Sequence, residues 1–294
     1  MNQNMNDRRR YITWIFLPTV IAIAIQSALV LMAIEFYIVF GMASFKGGDY
    51  TSFVIKIVDN YLTEESTAWI QVVYAIITSA LAVMIFKKLF RENKLTGLKG
   101  KSVNPALTVG GVVLFSVGMQ YVTIYLMNSV ASAFPSWLEE YEQLMESAGI
   151  SSTMSVAMTL YAILLGPICE ELLFRGITFG AAKKVMHVYY AIIVQAIMFG
   201  AFHMNKLQGI YAFVLGLGLG YIMYLYDSLI LTIIIHILYN LIGTIGSEYL
   251  PTGGDNLISF FFCTLSALVV SYISIILLKK GSALVNKDAS STDI

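Results

Sequence analysis

Charge is scarce in this 294-residue chain. Asp, Glu, Lys and Arg together make up 12% of it, against about 25% in a typical soluble domain. So few ionic groups cannot clothe a watery surface, which excludes an ordinary soluble enzyme. A disordered chain is excluded as well, because disorder needs low hydrophobicity and high net charge. The 18 basic residues are balanced by 18 acidic ones, so no net positive charge is left for a DNA-binding module. Cysteine is nearly absent. Cys169 and Cys263 both lie inside apolar stretches, which speaks against a disulfide framework and for helix packing. The apolar runs lack the alternation of barrel strands. No internal repeat and no H-E-x-x-H occur.

What the chain has is hydrophobicity: 58% of residues, with mean hydropathy +0.76. It comes in runs of about twenty residues, the length that crosses a ~30 Å hydrocarbon core at ~1.5 Å rise per residue. Eight spans are expected, near 12–40, 69–86, 106–127, 154–180, 188–203, 208–226, 228–245 and 257–278, two of them short. The fold class is therefore all-α, a polytopic membrane helix bundle. Arg8, Arg9 and Arg10 precede the first span, but its apolar region is too long for a signal peptide and no small-residue cleavage site follows. It is read as a mature helix.

With the N-terminus inside, only Lys46, Lys56 and Lys206 fall in outer segments and Arg175 within a span; the other basic residues are inside. That bias fixes the orientation, and an even span count puts both termini in the cytoplasm of a multi-pass cell-membrane protein, with a composition of bacterial character. Three regions follow: 1–150, N-terminal helices and outer loops; 151–250, the core that carries the chemistry; and 251–294, a last helix and a polar tail expected to be unstructured from Ser282. In the outer segment Ser136–Met145, Trp137, Leu138, Tyr141, Leu144 and Met145 form one stripe opposite acids, an interfacial helix. It is read as a surface connector before a lid. Gly216 and Gly220 allow close helix approach within the bundle. Tyr221, Tyr224 and Tyr226 are read as interfacial anchors.

The informative residues are those costly in lipid. An ionised group at a span centre costs ~2.5–3.5 kcal/mol on the gentlest scale, yet the fourth span holds Glu170, Glu171 and Arg175. Glu171 and Arg175 are spaced i, i+4 and can pair, which leaves Glu170 in need of a partner from another helix. His203 and His236 lie in apolar helices, and Asn240 shares a face with His236. At ~1.5 Å per residue, Glu170, His236 and His203 lie about 15, 12 and 22 Å from the cytoplasmic ends of their spans, compatible with one layer. A carboxylate beside neutral imidazole suits activation of water. Imidazole N–H and a carboxamide suit an oxyanion. Two histidines and a carboxylate also form a catalytic zinc set.

At these residues the chain resembles the CPBP family, the CAAX protease and bacteriocin-processing (Abi) intramembrane proteases. The matches are E-E-x-x-x-R at Glu170, Glu171 and Arg175, F-x-x-x-H at Phe199 and His203, and H-x-x-x-N at His236 and Asn240. They stand in order on separate spans within about 154–245. The resemblance implies an eight-helix fold with a membrane-embedded cavity and an endopeptidase acting near a substrate's C-terminus or on a small peptide precursor. It implies that Glu170 and His203 activate water, that His236 and Asn240 stabilise the oxyanion, and that Glu171 and Arg175 order the site or contact substrate. No cofactor is favoured. A metal-dependent variant would use Glu170, His203 and His236, with zinc. The partners implied are the bilayer and a peptide or membrane-protein substrate, with or without a lipid group, and no nucleic acid. A non-catalytic scaffold for a signalling partner and a bacteriocin self-immunity protein are the alternatives, and a transporter is the weaker rival.

Overall fold

The computed structural model describes residues 2–45, 47–90, 103–150, 154–246 and 256–289, the side chains of 2–4 and 283–289 excepted. The described chain is helical throughout. In order the helices are α1 (Asn2–Met42), α2 (Tyr50–Tyr61), α3 (Glu64–Leu89), α4 (Pro105–Ala133), α5 (Pro135–Ser147), α6 (Val156–Ala182), α7 (Val188–Phe202), α8 (Lys206–Tyr226), α9 (Leu229–Thr244) and α10 (Leu257–Ala289). Six of them, α1, α3, α4, α6, α8 and α10, are long and apolar enough to cross a membrane. α7 and α9 are apolar but have only 15 and 16 residues. The result is a polytopic bundle of eight apolar helices, two of them short, with α2 and α5 as small extra helices.

Local chemistry sets the ends. Asp49, Thr63, Asn104, Asn205 and Ser228 each accept a backbone N–H of the first turn that follows, in α2, α3, α4, α8 and α9, the usual task of an N-cap. Pro105 and Pro135 open α4 and α5, where a missing N–H costs nothing. Asp227 ends α8 with φ of 48°, and the chain turns at once into α9 through Ser228. α2 falls in a segment that the hydropathy pattern gives to an outer loop. Its Asp49 cap and the burial of Ile57 hold it as a separate amphipathic helix.

α6 is the centre of the bundle. It packs against α1, α3, α7, α8 and α9, and every residue from Glu171 to Phe179 is buried. A helix apolar on all sides belongs in such a core. α6 is not α-helical throughout: Tyr161–Leu165 and Leu172–Thr178 are π-helical. α7 and α8 pack closely because glycine stands where they meet. A Cβ on Gly200 would lie 2.6 Å from the carbonyl oxygen of Gly209, and one on Gly216 would lie 3.1 Å from Ala196 Cα. The Gln195 amide donates to the Gly216 carbonyl at 2.7 Å across the same seam. The small-residue spacing thus serves packing within the bundle.

α10 lies along α4, and here two expectations are corrected. The tail does not become irregular at Ser282: the helix continues to Ala289, and residues 290–294 lie outside the described segments. Tyr226 is not an interfacial anchor. It is fully buried and its hydroxyl donates to the Leu278 carbonyl at 2.8 Å, with Thr108 Oγ1 at 3.0 Å, so it bolts α8 to α10 and α4. Tyr224 is exposed as expected. Several residues of the charge argument, including Lys46, Arg91, Lys94, Lys99, Lys101, Glu248 and Asp255, lie outside the described segments.

Candidate active site

Glu170 and Glu171 close the α-helical stretch Gly166–Glu171 of α6, and Arg175 lies in the π-helical stretch that follows. Glu171 and Arg175 form the expected i, i+4 pair, with Arg175 Nη1 at 2.7 Å from Glu171 Oε1 and both side chains at 0% exposure. The same oxygen, Oε1, accepts from His236 Nδ1 at 2.9 Å. A carboxylate cannot donate, so His236 carries its proton on Nδ1. Its other nitrogen, Nε2, then faces Glu170, whose Oε2 is 3.6 Å away. Glu170 therefore finds its partner on α9, and that partner is His236.

His203 caps the C-terminus of α7, one residue before Met204 takes a left-handed φ of 51°. Its Nδ1 donates to the Phe199 carbonyl at 2.9 Å, which leaves Nε2 as the basic nitrogen. Its ring stands edge-on to Phe199 at 5.0 Å, and His236 stands edge-on to the same ring at 5.8 Å. The two imidazoles thus flank one phenyl ring. α7 rises only ~22 Å, and the turn that follows it leaves His203 half-buried beside an exposed Met204.

Asn240 donates to the Ala162 carbonyl at 2.8 Å. That carbonyl is free for a physical reason. In the π-helical stretch the Gly166 N–H goes to Tyr161 rather than to Ala162, and residue 167 is a proline with no N–H to give. One amide proton of Asn240 is therefore committed to holding α9 on α6, and one remains. His187, the third histidine, is exposed at the start of α7. Cys169 is buried and free, and Cys263 is partly exposed and free.

Phe199, named from the F-x-x-x-H motif, has a contact that the sequence did not give: the Arg175 guanidinium carbon sits over its ring, 4.4 Å from the centroid. One group at the site was not singled out from the sequence, the Ala162 carbonyl; Pro167 is the signal that would have pointed to it. Among the described residues, no three His, Cys, Asp or Glu side chains are grouped to hold a metal ion. No step below is routed through a metal.

Residues 152–242 match the family model described as "Type II CAAX prenyl endopeptidase Rce1-like". The match covers under a third of the chain and supports a likeness of this segment to the CAAX protease (CPBP) family. All six polar residues of the site lie within the matched segment, which spans α6 to α9. No curated protein and no solved structure matches the chain. The several helices long and apolar enough to cross a membrane, together with the likeness of this segment to a membrane protease family, support an integral multi-pass membrane protein.

Proposed function

We propose that this CAAX protease homologue is an intramembrane endopeptidase that cleaves a peptide or membrane-protein substrate with water activated by Glu170. The observation that carries this reading is the unequal state of two adjacent carboxylates. Glu171 has no exposure and is committed to Arg175 and His236. Glu170 keeps 14% exposure and has no hydrogen bond shorter than its 3.6 Å approach to His236. Only Glu170 is placed to meet a water molecule.

In this reading Glu170, with the basic Nε2 of His203, takes a proton from water as the oxygen attacks the scissile carbonyl. Glu170 then gives the proton to the leaving amine, so the carboxylate is regenerated. The oxyanion is met by the second amide proton of Asn240 and by Nε2–H of His236. Because Nδ1–H of His236 is held by Glu171, Nε2 donates only if the ring enters the cycle as imidazolium and keeps that proton throughout; the Glu170 and Glu171 carboxylates together then offset His236 and Arg175. A preorganised donor of this kind is worth about 3 kcal/mol in the transition state. Glu171 and Arg175 order the site and do not touch substrate. We place both termini in the cytoplasm, on the basic bias of the inner segments, and regard bacterial origin and a substrate other than a prenylated protein as the better reading.

The test compares purified wild type and Glu170→Gln on a library of short lipidated and unmodified peptides, with and without a strong chelator. Cleavage by wild type alone, indifferent to chelator, is expected. Equal cleavage by both proteins sinks Glu170 as the base. Loss with chelator and rescue by zinc would replace the metal-free mechanism with a metal-dependent one.

A further inference from the structure

Phe199 has 1% exposure and touches more of the site than any role as filler requires. Its face carries the Arg175 guanidinium at 4.4 Å. Its ring meets His203 at an interplanar angle of 80° and His236 at 87°. Phe174 supports it at 5.2 Å. Edge-on contact is the arrangement that ring quadrupoles favour.

Arg175 explains why a phenyl ring is needed there. It is fully buried, and only Nη1 is bonded to Glu171, while Nε and Nη2 have no hydrogen-bond partner. A buried cation with idle donors is costly, and the ring face is a source of negative potential directly against it. We propose that Phe199 is a positioning residue: its π face holds Arg175 so that Glu171 stays paired and His236 keeps Nε2 turned to Glu170. The proposal rests on the reading of Glu170 as the base. The backbone carbonyl of Phe199, which fixes His203, survives any change of side chain, so variants at this position report on the ring alone.

The test replaces Phe199 with mono-, di- and trifluorinated phenylalanine, which drain the ring face in steps and nearly preserve its shape. Turnover of the peptide library, thermal midpoint and solvent exchange of the Arg175 Nε–H are measured on the full-length protein in detergent. We expect kcat to fall with each fluorine at constant KM, the midpoint to fall by a few degrees across the series, and Arg175 exchange to quicken in the same order. Phe199→Leu is expected to lose roughly 30-fold in kcat/KM, the rate equivalent of a desolvated cation–π contact. A flat series in both turnover and Arg175 exchange overturns the proposal, since a ring that merely fills space would give it. Full activity of Glu170→Gln would instead overturn the base assignment. Arg175 exchange reads the ring's hold independently of that result.

Discussion

His236 Nδ1 lies 2.9 Å from Glu171 Oε1, and the same oxygen accepts from Arg175 at 2.7 Å. One oxygen thus joins a cation on its own helix to an imidazole on another. Removing either charge strands the other in a dry interior, which costs ~3–5 kcal/mol, whereas replacing both is close to neutral. Glu171→Leu and Arg175→Leu should each lower the thermal midpoint sharply. The double variant should recover most of the loss and stay inactive. A double variant no more stable than the singles would show that the pair is not what the bundle depends on.

Asn240→Ala should cost about 1–3 kcal/mol, because it leaves the Ala162 carbonyl buried without a donor. Adding Pro167→Ala supplies a backbone N–H beside that carbonyl. Stability should then return in part, and activity should not. Unfolding and peptide cleavage on the same two variants check this. Recovery of both would confine Asn240 to holding α9 on α6.

Gly200→Ala should destabilise by ~1–3 kcal/mol, the usual cost of overpacking, since its Cβ would lie 2.6 Å from the Gly209 oxygen. Cleavage should fall with it, because His203 is three residues further on. Gly110→Ala, where nothing lies within 4 Å of the added carbon, is the control. It should be neutral or gain up to ~1 kcal/mol from helix propensity.

Lys206 pairs with Glu140 at 3.1 Å and lies over the Trp137 ring at 5.5 Å, joining α5 to the start of α8. Both side chains are about half exposed, so the pair is worth at most ~1 kcal/mol. Lys206→Ala and Glu140→Gln should leave midpoint and turnover nearly unchanged, as a surface connector requires. A change in KM above tenfold would make α5 a gate.

The sequence made the outline of this site legible through cost. Glu171 and Arg175 announce their pairing because i, i+4 groups share a face and neither belongs in lipid alone. His203, His236 and Asn240 stand out for the same reason. Spacing within a helix does not say which neighbour a free side chain meets, so the partner of Glu170 had to come from the packing of α9 on α6. The π-helical stretches escaped too, because they depend on which backbone groups compete for one carbonyl. α2 carries no long apolar run, and Tyr226 sits beside Tyr224, which does face outward, and Tyr221, which is half-buried against the core. Its burial follows from the approach of α10.

The helices that present His203, His236 and Asn240 are also the shortest in the bundle. At ~1.5 Å per residue α7 and α9 reach about 22 and 24 Å, short of a ~30 Å hydrocarbon layer. Ile193, Ile197, Ile230 and Ile234 on them are exposed, so lipid tails meet this wall directly. Tails beside it must tilt or shorten, at a fraction of a kcal/mol for each ångström of mismatch. Mismatch of this kind favours a thinner bilayer next to the candidate site. The distance that water must travel is set by the membrane's local thickness as much as by the protein.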